Sequence, residues 1–134
     1  MARRNSYSGK YKLSKHEYLN AYHYAMRYLD WKAEYGSLSD NSKAITYTDM
    51  PHGNGTGDPT AQYGERRAEL ALKMQIIEET AKEADRDLSE YILYAATHEG
   101  VTFESLQIEK QIPCGRAMFY ERRRKFYYLL NKKI

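Results

Sequence analysis

Cysteine is nearly missing from this chain: Cys114 is the single copy in 134 residues. A lone thiol excludes an internal disulfide and any zinc site built on cysteines, and it fits a reducing compartment. Long apolar runs are missing too. No stretch approaches the roughly 20 residues that a membrane-spanning helix needs. The start, MARRNSYSGKYK, is basic with no apolar run behind it, so a signal peptide is not expected. These absences lead to the expectation of a cytoplasmic protein with no membrane partner.

Catalytic and metal signatures are equally scarce. His16, His23, His52 and His98 have no ligand spacing with nearby acids, and there is no HExxH. No base partner for Cys114 is evident. The stretch HGNGTG lacks the Gly-Lys-Ser/Thr ending of a phosphate loop, and no strand pattern precedes it, so it reads as linker. No enzyme activity, metal or cofactor is expected. No β-alternation lasts long enough for a strand, and the expected fold is all-α.

What the chain does hold is tyrosine and segregated charge. There are 14 tyrosines against 3 phenylalanines. Tyrosine suits half-buried faces and interfaces, because it carries apolar area with a hydroxyl at the tip. Residues 110–134 carry eight basic residues and one acid, a net of +7, whereas residues 65–109 carry five and eleven, a net of −6. Separation of this kind points to a polyanionic partner for the basic end. A basic helix end also suits the helix dipole, which accounts for Lys132 and Lys133 but not for Arg122–Lys125 inside the helix.

Local signals divide the chain. Residues 1–13 read as a flexible basic arm. Ser14, with Glu17 three residues on, forms a capping box that opens a long N-terminal helix over 14–35. Tyr18, Tyr22, Ala25, Met26, Leu29 and Ala33 share one face of it, and Gly36 is the expected stop. That Tyr-rich face suits either packing against a Leu70–Ala84 helix or homo-oligomerisation, and Tyr24, Tyr28, Trp31 and Tyr35 on an adjoining face favour the oligomer. Residues 36–58 read as a flexible Gly/Ser-rich linker. Asp58-Pro59 opens a second helix that runs to about Ala84, lined inside by Leu70, Met74, Ile77, Ala81 and Ala84. A further helix restarts at Asp87 or Ser89 and closes at Gly100. Whether the Asp85–Asp87 region breaks or only bends the chain stays open.

Residues 59–134 are therefore expected to form a helical DNA-binding domain with a helix-turn-helix at 102–132. Thr102 caps a short helix with Phe103, Leu106 and Ile108 inward; Ile112-Pro113-Cys114-Gly115 is the turn; a basic helix follows. At 100° per residue, Met118, Phe119, Phe126, Leu129 and Leu130 gather on one arc, with the stem of Arg122 beside them. The opposite side shows Arg116, Ala117, Tyr120, Glu121, Arg124, Lys125 and Tyr128. A recognition helix needs this division, an inner face that anchors and an outer face that enters the major groove. Arg116, Ala117, Tyr120 and Glu121 are the candidates for base edges: Arg bonds guanine, Ala packs on a thymine methyl, Glu accepts from cytosine. Arg123, Arg124 and Lys125 suit phosphates. Glu121 either reads a base or pairs with Arg124 or Lys125. Cys114 reads as a turn-packing residue.

The stretch TFESLQIEKQIPCGRAMFYERRRKFYYLLNKK resembles the C-terminal segment of small phage and mobile-element proteins of the ArpU/RinA type. Those are late-transcription activators likened to region 4 of sigma-70 factors. The matching features are the Ile-Pro-Cys-Gly turn, the Phe-Tyr-x-x-Arg-Arg core and the aromatic-Leu-Leu ending. The likeness covers the last third of the chain, and elsewhere only the layout. It implies double-stranded DNA binding by Arg116, Tyr120, Arg123 and Arg124, activation of late phage genes in a bacterial host cell, and RNA polymerase as a candidate partner. The competing expectation is a helical assembly protein, such as a small terminase subunit, whose basic surface makes generic contacts.

Overall fold

The computed structural model describes residues 10–48 and 59–134. Among them the fold is all-α, as expected: α1 (Lys15–Met26), α2 (Tyr28–Thr48), α3 (Pro59–Ala84), α4 (Ser89–Thr97), α5 (Phe103–Lys110) and α6 (Arg116–Lys133). They divide into two compact units. Leu29–Gln75 form one, and the remaining described residues form the other. This grouping differs from a domain over 59–134: α1 joins the C-terminal helices, and the first part of α3 goes with α2.

α1 opens as its capping box predicts. Ser14 Oγ accepts from the Glu17 amide at 3.1 Å, and Glu17 Oε1 accepts from the Ser14 amide at 2.9 Å. Such a cap contributes about 1 kcal/mol. Ala21 and Ala25 are fully buried, small enough for a close approach where α1 packs on α4 and α6. Tyr18 and Tyr22 meet Tyr127 of α6, with ring centroids 5.2 and 6.4 Å apart. This Tyr stripe therefore packs on α6, not on the Leu70–Ala84 helix.

The single helix expected over 14–35 is broken. At Arg27 the amide bonds the Tyr24 carbonyl at 3.2 Å, a tighter i→i−3 closure, and a new helix starts at Tyr28. Nothing in the local composition marks the site. The buried face nevertheless stays in register across the break, since Tyr28 lies seven residues after Ala21 and three after Ala25. Tyr28 and Trp31 are buried, while Leu29 is 39 % exposed and Ala33 is exposed. Tyr28 donates its hydroxyl proton to Glu78, and burial, reinforced by that carboxylate, pushes its pKa up to about 12.

Gly36 does not stop the helix. α2 continues to Thr48, so residues 36–48 of the expected linker are helical. Gly36 is exposed, and a Cβ there would meet nothing within 4 Å. A mid-helix glycine costs roughly 1 kcal/mol against alanine, which biases a helix without ending it. The remainder of that linker, 49–58 with HGNGTG and Asp58, lies outside the described residues, as do residues 1–9 of the arm.

Within the smaller unit, Arg66 bonds Glu34 through Nε and Nη2 at 2.7 and 3.0 Å and Glu69 at 3.0 Å. The Arg66 hydrogen bond holds the Glu34 carboxyl below its ordinary range. Arg67 lies 4.4 Å from the Tyr35 ring, and Lys73 lies 5.2 Å from that of Trp31.

In the larger unit, Asp85 settles the α3–α4 question. Its Oδ1 accepts from the amides of Asp87 and Leu88 at 3.0 and 3.1 Å, which turns the chain and separates the helices. After α4, Gly100 takes φ 78°, a left-handed turn that glycine adopts without steric cost. Thr102 and Ser105 then form a second capping box at 3.0 and 3.1 Å. Phe103 and Leu106 of α5 are buried, but Ile108 is 79 % exposed. Two residues beyond Leu106 is about 200° round the helix, the opposite face.

Candidate nucleic-acid interface

Five residues separate α5 from α6. Gln111 adopts a left-handed conformation, φ 53° and ψ 51°, and its amide folds back on the Leu106 carbonyl. The Ile112 amide does the same at 3.4 Å, and the Ile112 side chain is buried. Gly115 caps α6 in extended conformation with open space around it. Cys114 is half-buried, and burial, then the Asp85 charge, pushes its thiol up against the opposing influence of Arg122. That environment disfavours a thiolate.

α6 is held along one arc. Phe119, Phe126 and Leu130 are fully buried and Tyr127 is 2 % exposed. Phe119 meets Phe103 of α5 at 6.1 Å. Tyr127 belongs to this arc although the apolar pattern omitted it, and burial holds its hydroxyl well above the ordinary tyrosine range. The signal was present, since it lies three residues before Leu130 and eight after Phe119. Met118, expected inside, is 42 % exposed, and Leu129 is half-buried.

The eight candidate DNA-binding residues separate into two groups. Ala117, Glu121, Arg124, Lys125 and Tyr128 lie within about 100° of one another on the side opposite the core. Ala117 is exposed and the other four are half-exposed. Arg124 makes no ion pair among the described residues. Of the two roles expected for Glu121, reading a base or pairing with Arg124 or Lys125, the pair forms with Arg122 instead.

Arg116, Tyr120 and Arg123 lie on the flank that faces α5. Arg116 pairs with Glu104, and its guanidinium stands 5.5 Å from the Phe103 ring. The pair stays half-exposed, at 58 and 50 % for the two side chains. Tyr120 accepts the Phe103 amide proton on its hydroxyl at 3.2 Å, so that oxygen ties α6 to the start of α5. Arg123 stacks over Tyr120 at 4.9 Å and stands 6.0 Å from the Phe119 ring centroid. The helical phase explains this placement: Arg123 is four residues from both Phe119 and Tyr127, on the inner flank.

Two further basic side chains are ties. Arg122 was expected to keep its head in water; its Nε bonds Asp85 at 2.8 Å. Burial would raise the Asp85 carboxyl, but the Arg122 bond and the two amides outweigh it and hold the pKa below its ordinary value. Lys133 bonds Thr80 and Glu83, each at 2.9 Å.

The last residues before α1 pack on α6. Residues 10–13 alternate in burial: Lys10 and Lys12 are exposed, Tyr11 is half-buried and Leu13 is 4 % exposed. Tyr11 packs on Tyr128 at 5.5 Å. Among the described residues no group of histidine, cysteine and acids is arranged to hold a metal, and no helix is long and apolar enough to cross a membrane. No protein-family model matches the chain, and no curated protein or solved structure is similar to it.

Proposed function

We propose that the chain binds double-stranded DNA through the outward arc of α6 and acts as a sequence-specific transcriptional regulator of phage or mobile-element origin. The observation that carries this reading is the asymmetry of α6. Its inner arc is fixed by Phe119, Phe126, Tyr127 and Leu130, while Arg124, Lys125 and Lys132 on the outer arc meet no acid among the described residues. Unmatched cations on a rigid rod suit a polyanion.

In this reading α5, the turn and α6 act as a helix-turn-helix, with the first half of α6 in the major groove. Ala117 packs on a thymine methyl, Glu121 accepts from cytosine and Arg124 reaches guanine or phosphate. Arg116 also takes part. Exposed ion pairs such as Arg116–Glu104 are worth about 0–1 kcal/mol, so a phosphate or guanine competes for the guanidinium. Tyr120 and Arg123 support α6 from behind. The α1 tyrosines no longer require a second copy, because Tyr127 takes them up, and the contact needs only one α6. RNA polymerase is the candidate second partner of a regulator bound in this way.

The test is fluorescence anisotropy of labelled duplexes at several salt concentrations. The regulator reading expects binding that weakens linearly in log salt, a preferred sequence, and weaker binding for Arg124→Ala and Lys125→Ala. Binding without any preference among sequences would replace the regulator with the generic assembly role. If neither substitution weakens binding to any duplex, the DNA reading fails.

A further inference from the structure

Around the Tyr11–Tyr128 pair, three ammonium groups gather. Lys10 lies 5.5 Å and Lys125 5.9 Å from the Tyr11 ring centroid, and Lys132 lies 4.4 Å from that of Tyr128. None of the three forms an ion pair among the described residues. Elsewhere in this unit the basic groups of α6 that reach an acid are neutralised: Arg116 by Glu104, Arg122 by Asp85 and Glu121, Lys133 by Glu83. Like charges gathered around one pair of rings repel, and aromatic faces offset only part of that cost. A bound anion removes the remainder.

We infer that Lys10, Lys125 and Lys132 form a clamp for the sugar-phosphate backbone of duplex DNA, built jointly by the segment before α1 and the C-terminal half of α6. The inference rests on the DNA reading and adds a second element to it. Leu13 and the Ser14 capping box fix the segment at its end, and Tyr11 fixes it along α6. The alternation of burial then leaves Lys10 and Lys12 facing outward. Lys125, Tyr128 and Lys132 share the outward arc with Ala117, Glu121 and Arg124. A duplex read by the first half of α6 therefore continues along its backbone past the clamp. Its contribution is charge without sequence preference, because phosphates are the same at every step.

Lys10→Ala/Lys132→Ala tests this, since neither residue belongs to the set that meets base edges. Salt-dependent anisotropy should show a slope shallower by about 2, roughly 0.9 for each phosphate no longer neutralised, with affinity lowered equally for every duplex. Tyr11→Ala should lose the Lys10 share alone, and Tyr11→Phe should keep it. Circular dichroism should show unchanged helicity and melting. A double variant with wild-type slope, alongside an Arg124→Ala variant that still binds less tightly, overturns the clamp and leaves the α6 reading standing. A loss confined to one sequence also overturns it as a backbone contact. Inorganic phosphate titrated into the protein alone should not saturate below millimolar concentration; if it does, the site takes a small anion and the backbone assignment fails. Wild-type protein that binds no duplex at any salt concentration removes both readings together.

Discussion

α6 carries two kinds of basic residue on one helix. Arg122 and Lys133 sit against α3 or its end: the first on Asp85, the second on Thr80 and Glu83. Arg124, Lys125 and Lys132 sit on the outer arc and meet no acid among the described residues. The two kinds lie on the same helix and both are long cationic side chains, so the difference lies in helical phase. Within the run Arg122-Arg123-Arg124-Lys125, successive 100° steps carry the charge from an acid partner, to a pair of aromatic rings, and then to solvent. Counting charge in a segment therefore overstates what is free to bind a partner. Roughly half of the basic residues here hold the protein together.

Removing the anchor should break the comparison most severely. Phe126 is fully buried where α6 packs, so Phe126→Ala should cost about 3–5 kcal/mol, as large aromatic truncations in cores do. Arg124→Ala should stay within about 0.5 kcal/mol of wild type. Urea denaturation followed by circular dichroism measures both. Similar costs at the two positions would mean that α6 has no distinct inner and outer sides.

The middle-sized effect concerns the tie itself. Asp85 accepts from Arg122 and from two backbone amides, so Asp85→Ala orphans three donors and should cost about 1–3 kcal/mol. The folded carboxyl titrates below its ordinary 3.8, so the unfolded chain binds more protons as pH falls through that region. The contribution is full above about pH 4 and disappears as pH falls through the lower folded value. The gap in urea midpoint between wild type and Asp85→Asn should therefore be wide at neutral pH and narrow in acid. A gap independent of pH would show that charge at Asp85 does nothing for the fold.

Local chemistry was the part of the fold most legible in the residues. The capping box at Ser14, the cap at Thr102 and the proline at the start of α3 act within a few residues, and a helix begins at each; Gly100 makes its left-handed turn three residues after α4 ends at Thr97. Phe119 and Phe126 were legible as anchors because their spacing alone puts them on one face. Features decided at long range were not. Nothing near Arg27 breaks a helix, and Gly36 ends one only when exposure and packing fail to sustain it. The roles of Arg116 and Tyr120 depend on Glu104 and Phe103, which are 12 and 17 residues away and meet them only after the turn folds. The contact of Tyr11 with Tyr128 spans nearly the whole chain.

Tyr120 gives the smallest and sharpest test, because its two readings predict opposite results. As a base reader, its hydroxyl would contribute to selectivity and little to stability. As placed, the oxygen accepts the Phe103 amide at the start of α5, one of the donors that a helix cannot satisfy internally. Thr102 already serves the Ser105 amide, so nothing else at this end replaces Tyr120. Tyr120→Phe keeps the ring under Arg123 and removes only the acceptor. It should lower stability by about 1 kcal/mol, the usual net value of one hydrogen bond, and leave the ratio of affinities between preferred and random duplexes unchanged. A shifted ratio with intact stability would move Tyr120 back to the outward face and enlarge the reading surface at the expense of the scaffold.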